Sequence, residues 1–418
     1  MKRSLNQQLN ECESLSEVEG EYQQQQHQNK HQQHHQHQRP IRLLLHTKDG
    51  IIPYLTPLLL QKYFPAPQTH LSLGIAVREY CSKPLYPSKD STKPNGYAFS
   101  SSDADKTILG YHRLTVPTFD LIQDSFGKPA APSNSNLIMV WTPHGRQPLT
   151  TTEYQSVSKS LQSNATLSLF DMTLDNDTKK RQQAAAQRTS TWWQAHQKED
   201  PNLLAPIVLV GRQDQVPLSS AAAGYVFIGL QHITSRHERN QRISNMLNKC
   251  DPTKIHVALS CRSVQQMLDV IRLGIDTVGM SLPTEWAQTQ RAFACHFTGG
   301  IPTTKRVRTD IVLDQDGCFN VGNVDFCRDA RPLVEGCTCL ACQQHSRAYI
   351  HHLLLAKELL AQILLFTHNL TRLIELCRQA SRARDEKRLE NFCDSVEQQF
   401  RFEKVVIESD ANKSNPTS

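Results

Sequence analysis

The sequence of 418 residues has no long apolar run and little excess charge of either sign. No window approaches the ~18 apolar residues of a membrane-spanning helix, and the basic pair Lys2 and Arg3 is not followed by the apolar segment of a secretory signal. The formal net charge is +6, from 46 basic and 40 acidic side chains. Such a mild excess is compatible with an RNA partner but does not indicate a dedicated nucleic-acid binder. We expect a cytoplasmic protein.

Apolar side chains are also scarce in residues 1–39, where the stretch Gln23–Gln38 consists almost entirely of Gln and His. Such a segment buries too little apolar surface to offset the entropy lost on ordering. We therefore predict a disordered arm over residues 1–39. Its histidines are interpreted as part of a tolerated repeat rather than as a metal site.

From Ile41 onward, short apolar runs alternate with polar segments of helical period, which predicts strands alternating with helices. The strand candidates are Ile41–Thr47, Leu137–Thr142, Ala165–Asp171, Pro206–Gly211, Ala223–Leu230, Lys254–Ser260 and Ile275–Leu282. The clearest helix candidates are Thr150–Gln162, Ser235–Cys250 and Ser263–Gly274. Apolar strands separated by helices indicate a parallel sheet covered on both faces.

No GxGxxG segment follows the first strand, which argues against an open dinucleotide-binding sheet. We therefore predict an α/β fold, a (β/α)8 TIM-type barrel, over residues 40–334. The eighth strand is unclear. Residues 62–136 are rich in Ser, Pro, Lys and Asp and give no definite element.

One group of cysteines lies at short spacing, as Cys337, Cys339 and Cys342 form a CxCxxC motif. With His368, which follows 26 positions later (368 − 342), they make the Cys3His set of a closed, structural zinc site. A straight helix of that length would carry the histidine about 39 Å away at ~1.5 Å per residue. Zinc binding therefore predicts a helical reversal near Leu355–Leu360.

The cysteine spacing alone leaves two alternatives to this ligand set. The thiols could simply be buried, with His368 capping the end of a helix. Nearby histidines could also replace His368 as the fourth ligand. The rivals are His345, His351 and His352. Of these, His345 is the most serious, because it needs no reversal of the chain.

The sequence around this motif, FNVGNVDFCRDARPLVEGCTCLACQQHSRAYIHHLLLAKELLAQILLFTHN, resembles the C-terminal part of the tRNA-guanine transglycosylases. The family pattern of N-x-x-N, D-x-x-P-L, CxCxxC, SRAY and HN is present in order. The resemblance implies a (β/α)8 barrel with a zinc subdomain, and it implies Zn²⁺ ligation by Cys337, Cys339, Cys342 and His368 rather than by His345. It places a helical zinc subdomain and dimer interface at residues 335–378, and a C-terminal helix and polar tail at 379–418.

The catalytic residues of that family have no clear counterparts. In the family one aspartate attacks the ribose carbon and a second handles protons. The segment Gly274–Trp286 is similar to the nucleophile segment, and it aligns Gly279 with the nucleophile. Asp276 matches a different family position, and Glu285 replaces an arginine suited to RNA phosphate. The nearest echo of the second aspartate, Asp124, is interpreted as coincidence.

The pocket that reads the base is also incomplete. The run Val208–Asp214 replaces the family's VQGG element, and of the GGLAVGE segment Gly229 and Leu230 remain. Asp171 matches a base-binding aspartate of the family. The resemblance therefore implies a subunit without catalytic residues of its own.

Such a subunit is implied to pair with a catalytic subunit, so that queuine replaces guanine at wobble position 34 of tRNAs with GUN anticodons. The resemblance further implies a location in the cytoplasm and peripheral contact with the mitochondrial outer membrane. The candidate tRNA contacts are Lys305, Arg306, Arg308, Arg328, Arg331, Arg378, Arg382, Arg384, Lys387 and Arg388. Two other hypotheses are an active transglycosylase that uses Asp276 or Asp124, and a zinc-stabilised adaptor unrelated to tRNA.

Overall fold

The computed structural model describes residues 39–47, 62–64, 70–76, 112–117, 134, 136–142, 145–161, 163–211, 221–297 and 311–399. Several predictions from the sequence fall on other parts of the chain. Residues 1–38 of the arm, Asp124, the basic group at Lys305, and the polar tail after residue 399 lie outside the described residues.

The described chain contains the strands β1 (Arg42–Thr47), β2 (Leu71–Ala76), β3 (His112–Val116), β4 (Leu137–Thr142), β5 (Gly145–Thr150), β6 (Ala165–Leu167), β7 (Leu203–Val208), β8 (Gly224–Ile228), β9 (Ile255–Ala258), β10 (Thr277–Met280), β11 (Arg291–Phe293) and β12 (Cys318–Asn320). The helices are α1 (Thr151–Leu161), α2 (Lys179–His196), α3 (Arg236–Leu247), α4 (Val264–Arg272), α5 (Leu282–Gln288), α6 (Leu340–Gln344), α7 (Arg347–Leu355), α8 (Leu359–Asp385) and α9 (389–399). No described helix is long and apolar enough to span a membrane.

Eight of these strands form a closed barrel in the order β1-β10-β9-β8-β7-β6-β3-β2. All neighbouring strands of the barrel are parallel, as in a TIM-type barrel. The predicted fold is confirmed. The barrel strands that the sequence left unassigned are β2 and β3, which lie within the poorly patterned residues 62–136.

The prediction for Leu137–Thr142 is correct as a strand but wrong as part of the barrel. This segment, β4, pairs antiparallel with β5 in a separate hairpin, with Leu137 opposite Thr150. The hairpin buries Ile138, Val140 and Leu149 in a second apolar cluster that includes α1. A short apolar run is consistent with a buried strand in either setting, so the pattern cannot distinguish them.

The structure contains the helix-capping residues and the helix stop that the sequence predicts. Thr150 and Glu153 form a reciprocal capping box at α1, because the Thr150 N–H donates to the Glu153 carboxylate at 2.9 Å and the Glu153 N–H donates to the Thr150 hydroxyl at 3.2 Å. The hydroxyl of Ser263 accepts from Gln266 N at 3.1 Å and caps α4. Gly274 follows α4 with φ +100°, which is the left-handed conformation of a helix stop.

A buried charge network holds α9 against the barrel helices. The Asp269 carboxylate, on α4, accepts from Arg236 at 3.0 Å and from Arg239 at 3.0 Å, both on α3. Glu397, on α9, accepts from Arg236 at 2.9 Å and also from Arg272. Because Asp269 is 2% exposed, its charge is compensated by arginines rather than by water.

Candidate metal centre and barrel face

The helical segment after the CxCxxC motif doubles back as the sequence predicted. Helix α7 ends at Leu355, and α8 begins at Leu359. Between them Lys357 adopts φ +56°, and its N–H donates to the carbonyl of Leu354 at 3.1 Å. This reversal allows α8 to carry His368 back to the cysteines.

The structure brings together the four predicted ligands, Cys337, Cys339, Cys342 and His368. Their ligand atoms all lie within 4.8 Å of one another. The imidazole Nδ1 is 3.8, 3.4 and 3.3 Å from the sulfur atoms of Cys337, Cys339 and Cys342, in that order. A tetrahedral zinc ion would separate sulfur and nitrogen ligands by about 3.6 Å. The arrangement therefore fits a tetrahedral ion of that size.

Local structure around the motif positions the three thiols. Gly336 has φ +74°, which suits glycine and turns the chain into the motif. Cys339 then caps α6, and its sulfur accepts from the N–H of Cys342 at 3.4 Å. The side-chain amide of Gln343 donates to the carbonyl of Cys337 at 2.9 Å. These contacts point all three sulfur atoms to one side of the loop.

His368 and Asn369 tie this loop to strand β11. The Nε2 of His368 lies 3.0 Å from the carbonyl of Phe293, so a proton donated there leaves Nδ1 as the ligand atom. The Asn369 side chain accepts from Phe293 N at 2.9 Å and donates to the carbonyl of Arg291 at 2.9 Å. This positioning role of Asn369 was not predicted, although the HN pair of the motif was the available signal.

Hydrogen bonds within the cluster shift the pKa values of its side chains. Burial alone would lower the pKa of His368, but hydrogen bonds with Cys337 and Cys342 outweigh it and raise this pKa to about 9. Hydrogen bonds from Cys339 and Cys342 hold the pKa of the Cys337 thiol well below its usual range. A metal ion would replace the shared protons, because it binds thiolates and neutral imidazole. Three sulfur donors and one nitrogen favour Zn²⁺ over hard cations.

The three rival histidines are not part of the described group of ligand atoms. His345 stacks on Tyr349 with ring centroids 4.9 Å apart. His351 is buried, and its Nδ1 lies 3.0 Å from the carbonyl of Val321. His352 is exposed on α7. Among the described residues, the metal-type group around the motif contains His368 and none of these three.

An arginine joins two other parts of the C-terminal motif. Arg347, which is 4% exposed, donates to Asp329 at 2.9 Å and to the carbonyl of Leu333 at 3.1 Å. Its guanidinium also lies 5.4 Å from the ring centre of Phe319 and 5.8 Å from that of Phe326. The SRAY and D-x-x-P-L segments therefore form one packed unit beside the candidate metal centre.

At the barrel, Gly279 lies on β10 opposite Leu44 of β1. A Cβ atom added to this glycine would lie 2.9 Å from Nε2 of His46 and 3.1 Å from the carbonyl oxygen of Ala258. The imidazole of His46 therefore occupies the space into which a side chain at position 279 would extend.

Asp276 precedes β10 and lies at its N-terminal end, whereas barrel enzymes carry their catalytic groups at the C-terminal ends of the strands. Its carboxylate accepts from the N–H of His256 at 3.1 Å and lies 3.4 Å from Arg39 and 3.6 Å from Arg384. Burial raises its pKa despite these partners. Asp276 therefore connects Arg39, which precedes β1, and Arg384, near the end of α8, to the N-terminal end of β10.

Comparison with known proteins assigns the chain to a protein family. A family model described as queuine tRNA-ribosyltransferase matches residues 104–401. The chain belongs to this family. A Danio rerio relative named queuine tRNA-ribosyltransferase accessory subunit 2 is 24% identical over 394 residues, which cover 84% of this chain and 90% of the relative.

Two further relatives carry related names. An Anopheles gambiae protein, also named queuine tRNA-ribosyltransferase accessory subunit 2, is 25% identical over 358 residues, 79% of this chain and 77% of the relative. A Fusobacterium nucleatum protein named queuine tRNA-ribosyltransferase is 28% identical over 227 residues, 51% of this chain and 56% of the relative.

In this member of the queuine tRNA-ribosyltransferase family, the carboxylate of Asp171 is fully engaged by arginines of α2. Arg181 donates to both of its oxygens, at 2.9 and 2.7 Å, and Arg188 Nε donates to one of them at 2.8 Å. The side chain of Asp171 is 4% exposed. A base that approached these oxygens would have to compete with the two guanidinium groups. Glu285 is instead exposed, and its carboxylate accepts from the hydroxyl of Ser281.

Proposed function

We propose that the chain is a non-catalytic subunit of a heterodimeric queuine tRNA-ribosyltransferase. In this role it supports the exchange of guanine for queuine at wobble position 34 of tRNAs with GUN anticodons. The proposal rests on the residue at position 279, which the family resemblance aligns with the nucleophile. A glycine stands there, and His46 fills the adjacent space. The relatives named as accessory subunits support the same role.

The proposed cofactor is one Zn²⁺ ion per chain, held by Cys337, Cys339, Cys342 and His368. Its role is structural, because four protein ligands leave no open position for water or substrate. Bound zinc would join the loop before α6 to α8, and through the Phe293 carbonyl to β11. The metal module is thus complete while the catalytic positions of the barrel are not, as expected if the module serves assembly.

The proposed contact with the catalytic subunit lies where α7 turns into α8. Apolar side chains are exposed there, with Leu355 at 69%, Leu359 at 61%, Tyr349 at 40% and Leu360 at 38%. We name these four residues the α7–α8 patch. Neighbouring exposed apolar side chains of this size favour burial in a protein interface. This patch belongs to residues 335–378, the segment that we propose as the zinc subdomain and dimer interface.

Four of the seven described basic candidates for tRNA contact are paired with carboxylates of the same chain. The pairs are Arg331 with Asp329, Arg378 with Glu375, Arg384 with Asp276, and Arg388 with Glu386. Phosphate would have to compete with these partners, so we propose that tRNA is bound mainly through the catalytic subunit. Location in the cytoplasm, with peripheral contact to the mitochondrial outer membrane, remains part of the proposal.

Assembly tests this function. The full chain and the catalytic subunit are mixed and studied by sedimentation velocity, as wild type, as the Cys337→Ser and Cys339→Ser double variant, and with Leu355→Glu and Leu359→Glu combined. We expect a heterodimer with the wild type and at least about tenfold weaker association for both double variants, equivalent to ~1.4 kcal/mol. Cys327→Ser is the control, because Cys327 is exposed and outside the cluster. Unchanged association of the cysteine double variant would separate the metal centre from assembly.

A contribution of this chain to tRNA binding can be measured in the same complex. Arg382 and Lys387 are exposed near the C-terminal end of the described residues. If they neutralise phosphate groups, their replacement by Glu weakens tRNA binding and reduces the slope of log affinity against log salt by ~1 for each phosphate that is no longer neutralised. Identical affinity and slope would show that tRNA is held by other residues.

The alternative of an active transglycosylase with relocated carboxylates draws no support from Asp276. This residue is 2% exposed and lies at the N-terminal end of β10. The C-terminal end of the strand, at Met280, is the other end. The other carboxylate of that hypothesis, Asp124, is outside the described residues.

A further inference from the structure

The four candidate zinc ligands are unequally protected from solvent. Cys337 is 4% exposed, Cys339 is 5% exposed and His368 is fully buried. Cys342 is half-buried. A metal ion held by this group would therefore be sheltered on three sides and approachable past a single sulfur atom.

Cys342 also lines a surface concavity of about 520 Å³, which is wide enough for small solutes to enter. Other residues of its lining include Pro332, Gln344, His345 and Tyr349. Because Tyr349 also belongs to the α7–α8 patch, the concavity is open to solvent in the free chain, before the proposed assembly. None of the described lining residues is an Asp, Glu, Lys or Arg. The concavity thus has no charged side chain to select an ion, and it suits a small, uncharged, polar molecule. Hydrogen peroxide has this character, and thiolates are its natural targets in proteins.

A second thiol is placed to complete a reaction that starts at Cys342. Cys339 stands three residues earlier, and its sulfur accepts from the backbone N–H of Cys342 at 3.4 Å. The two sulfur atoms belong to the group within 4.8 Å of one another. A disulfide requires about 2.05 Å between sulfur atoms, so an approach of less than ~3 Å would join them. Oxidation of Cys342, which ends its role as a thiolate ligand, would permit this movement.

We propose that Cys342 is an oxidation site, at which a peroxide converts the metal-bound pair Cys339 and Cys342 into a disulfide and releases zinc. The inference rests on the zinc centre proposed above. In the first step the Cys342 thiolate attacks peroxide, the O–O bond breaks, and sulfenic acid and hydroxide form. In the second step the Cys339 thiolate attacks the Cys342 sulfur and the S–O bond breaks, so a second hydroxide leaves. The two thiolates lose two electrons, and peroxide with two solvent protons becomes two waters.

Zinc release would affect the contacts that carry the proposed assembly. The cluster is the junction between α6 and α8, because Cys342 lies on α6 and His368 lies on α8. A disulfide within the loop satisfies two sulfur atoms locally and no longer engages His368. The site would thus link the oxidation state of the cell to the shape of the zinc subdomain.

The test uses the full chain, reduced and loaded with zinc, and exposed to hydrogen peroxide. Zinc release is followed with a chromogenic chelator, and each cysteine is mapped by differential alkylation and mass spectrometry. We expect Cys342 to lose its thiol first among the ligands, and the Cys339–Cys342 disulfide to form in step with zinc release. Release without loss of the Cys342 thiol, or equal early reaction of Cys337, would overturn the proposal.

Two variants sharpen the result. Cys342→His keeps four ligands but removes the exposed thiol, so we expect it to retain zinc and to release it about tenfold more slowly under peroxide. Release as fast as in the wild type would contradict this role. Cys327→Ser removes the exposed unligated thiol and should leave the release rate unchanged; a slowed rate would make Cys327 the site of entry. Absence of zinc from the reduced chain would instead overturn the metal centre itself, whereas heterodimer assembly is tested separately by sedimentation velocity.

Discussion

Replacing Gly279 by alanine tests whether His46 blocks the position that the family resemblance aligns with the nucleophile. The added Cβ would lie 2.9 Å from the His46 Nε2 and 3.1 Å from the Ala258 oxygen. Both distances are shorter than the ~3.5 Å of a favourable non-bonded contact. The glycine is not among the described residues with positive φ, so its backbone suits alanine and the effect is steric. Overpacking of this kind costs about 1–3 kcal/mol, and we expect about 2 kcal/mol.

The assay is urea unfolding of Gly279→Ala, His46→Ala and the double variant, compared with wild type. Removing the imidazole should relieve the closer of the two contacts, so the double variant should be about 1 kcal/mol more stable than the sum of the single effects predicts. The midpoints should shift while the slope stays unchanged. A loss below ~0.5 kcal/mol for Gly279→Ala, or additive effects in the cycle, would refute the steric account.

Two further predictions concern buried and exposed charge. Asp269→Asn removes the charge that compensates Arg239, whose side chain is 4% exposed. We therefore expect urea unfolding to show a loss of about 3–5 kcal/mol in the free energy of unfolding. The control is Lys159→Gln, which breaks an exposed ion pair and should change this free energy little. For Asp329, a hydrogen bond from Arg331 holds the carboxyl pKa below its usual range, so the folded state binds the proton less tightly than the unfolded state. Its stabilisation is present above about pH 4 and is lost as pH falls through the lowered pKa. The stability difference between wild type and Asp329→Asn should therefore shrink in acid, and a difference that grows would contradict this sign.

Much of the barrel follows from local sequence pattern, but two of its strands do not. The segments of β1 and β6 to β10 are apolar and are bounded by helices or turns, so periodicity reveals them. By contrast, β2 and β3 are five- or six-residue segments within a long stretch of poor pattern. They become strands because the neighbours β1 and β6 supply hydrogen-bonding edges. Such non-local pairing leaves little trace in the local sequence.

The Cys3His cluster was predictable because its three cysteines lie within six residues and their chemistry is distinctive. Its support was not, since Asn369 reaches Phe293 across 76 positions of the chain. The contact between His46 and position 279 is equally non-local. A sequence can show that a side chain is missing, but which neighbour fills the space depends on packing between distant strands.

Base exchange measured on separate and mixed subunits tests the central claim most directly. The purified chain, the purified catalytic subunit and their mixture are each given labelled queuine or guanine and a tRNA with a GUN anticodon. The proposed role predicts no exchange by this chain alone and robust exchange by the mixture. Exchange by this chain alone, at a rate proportional to its own concentration, would contradict the assignment of a non-catalytic subunit.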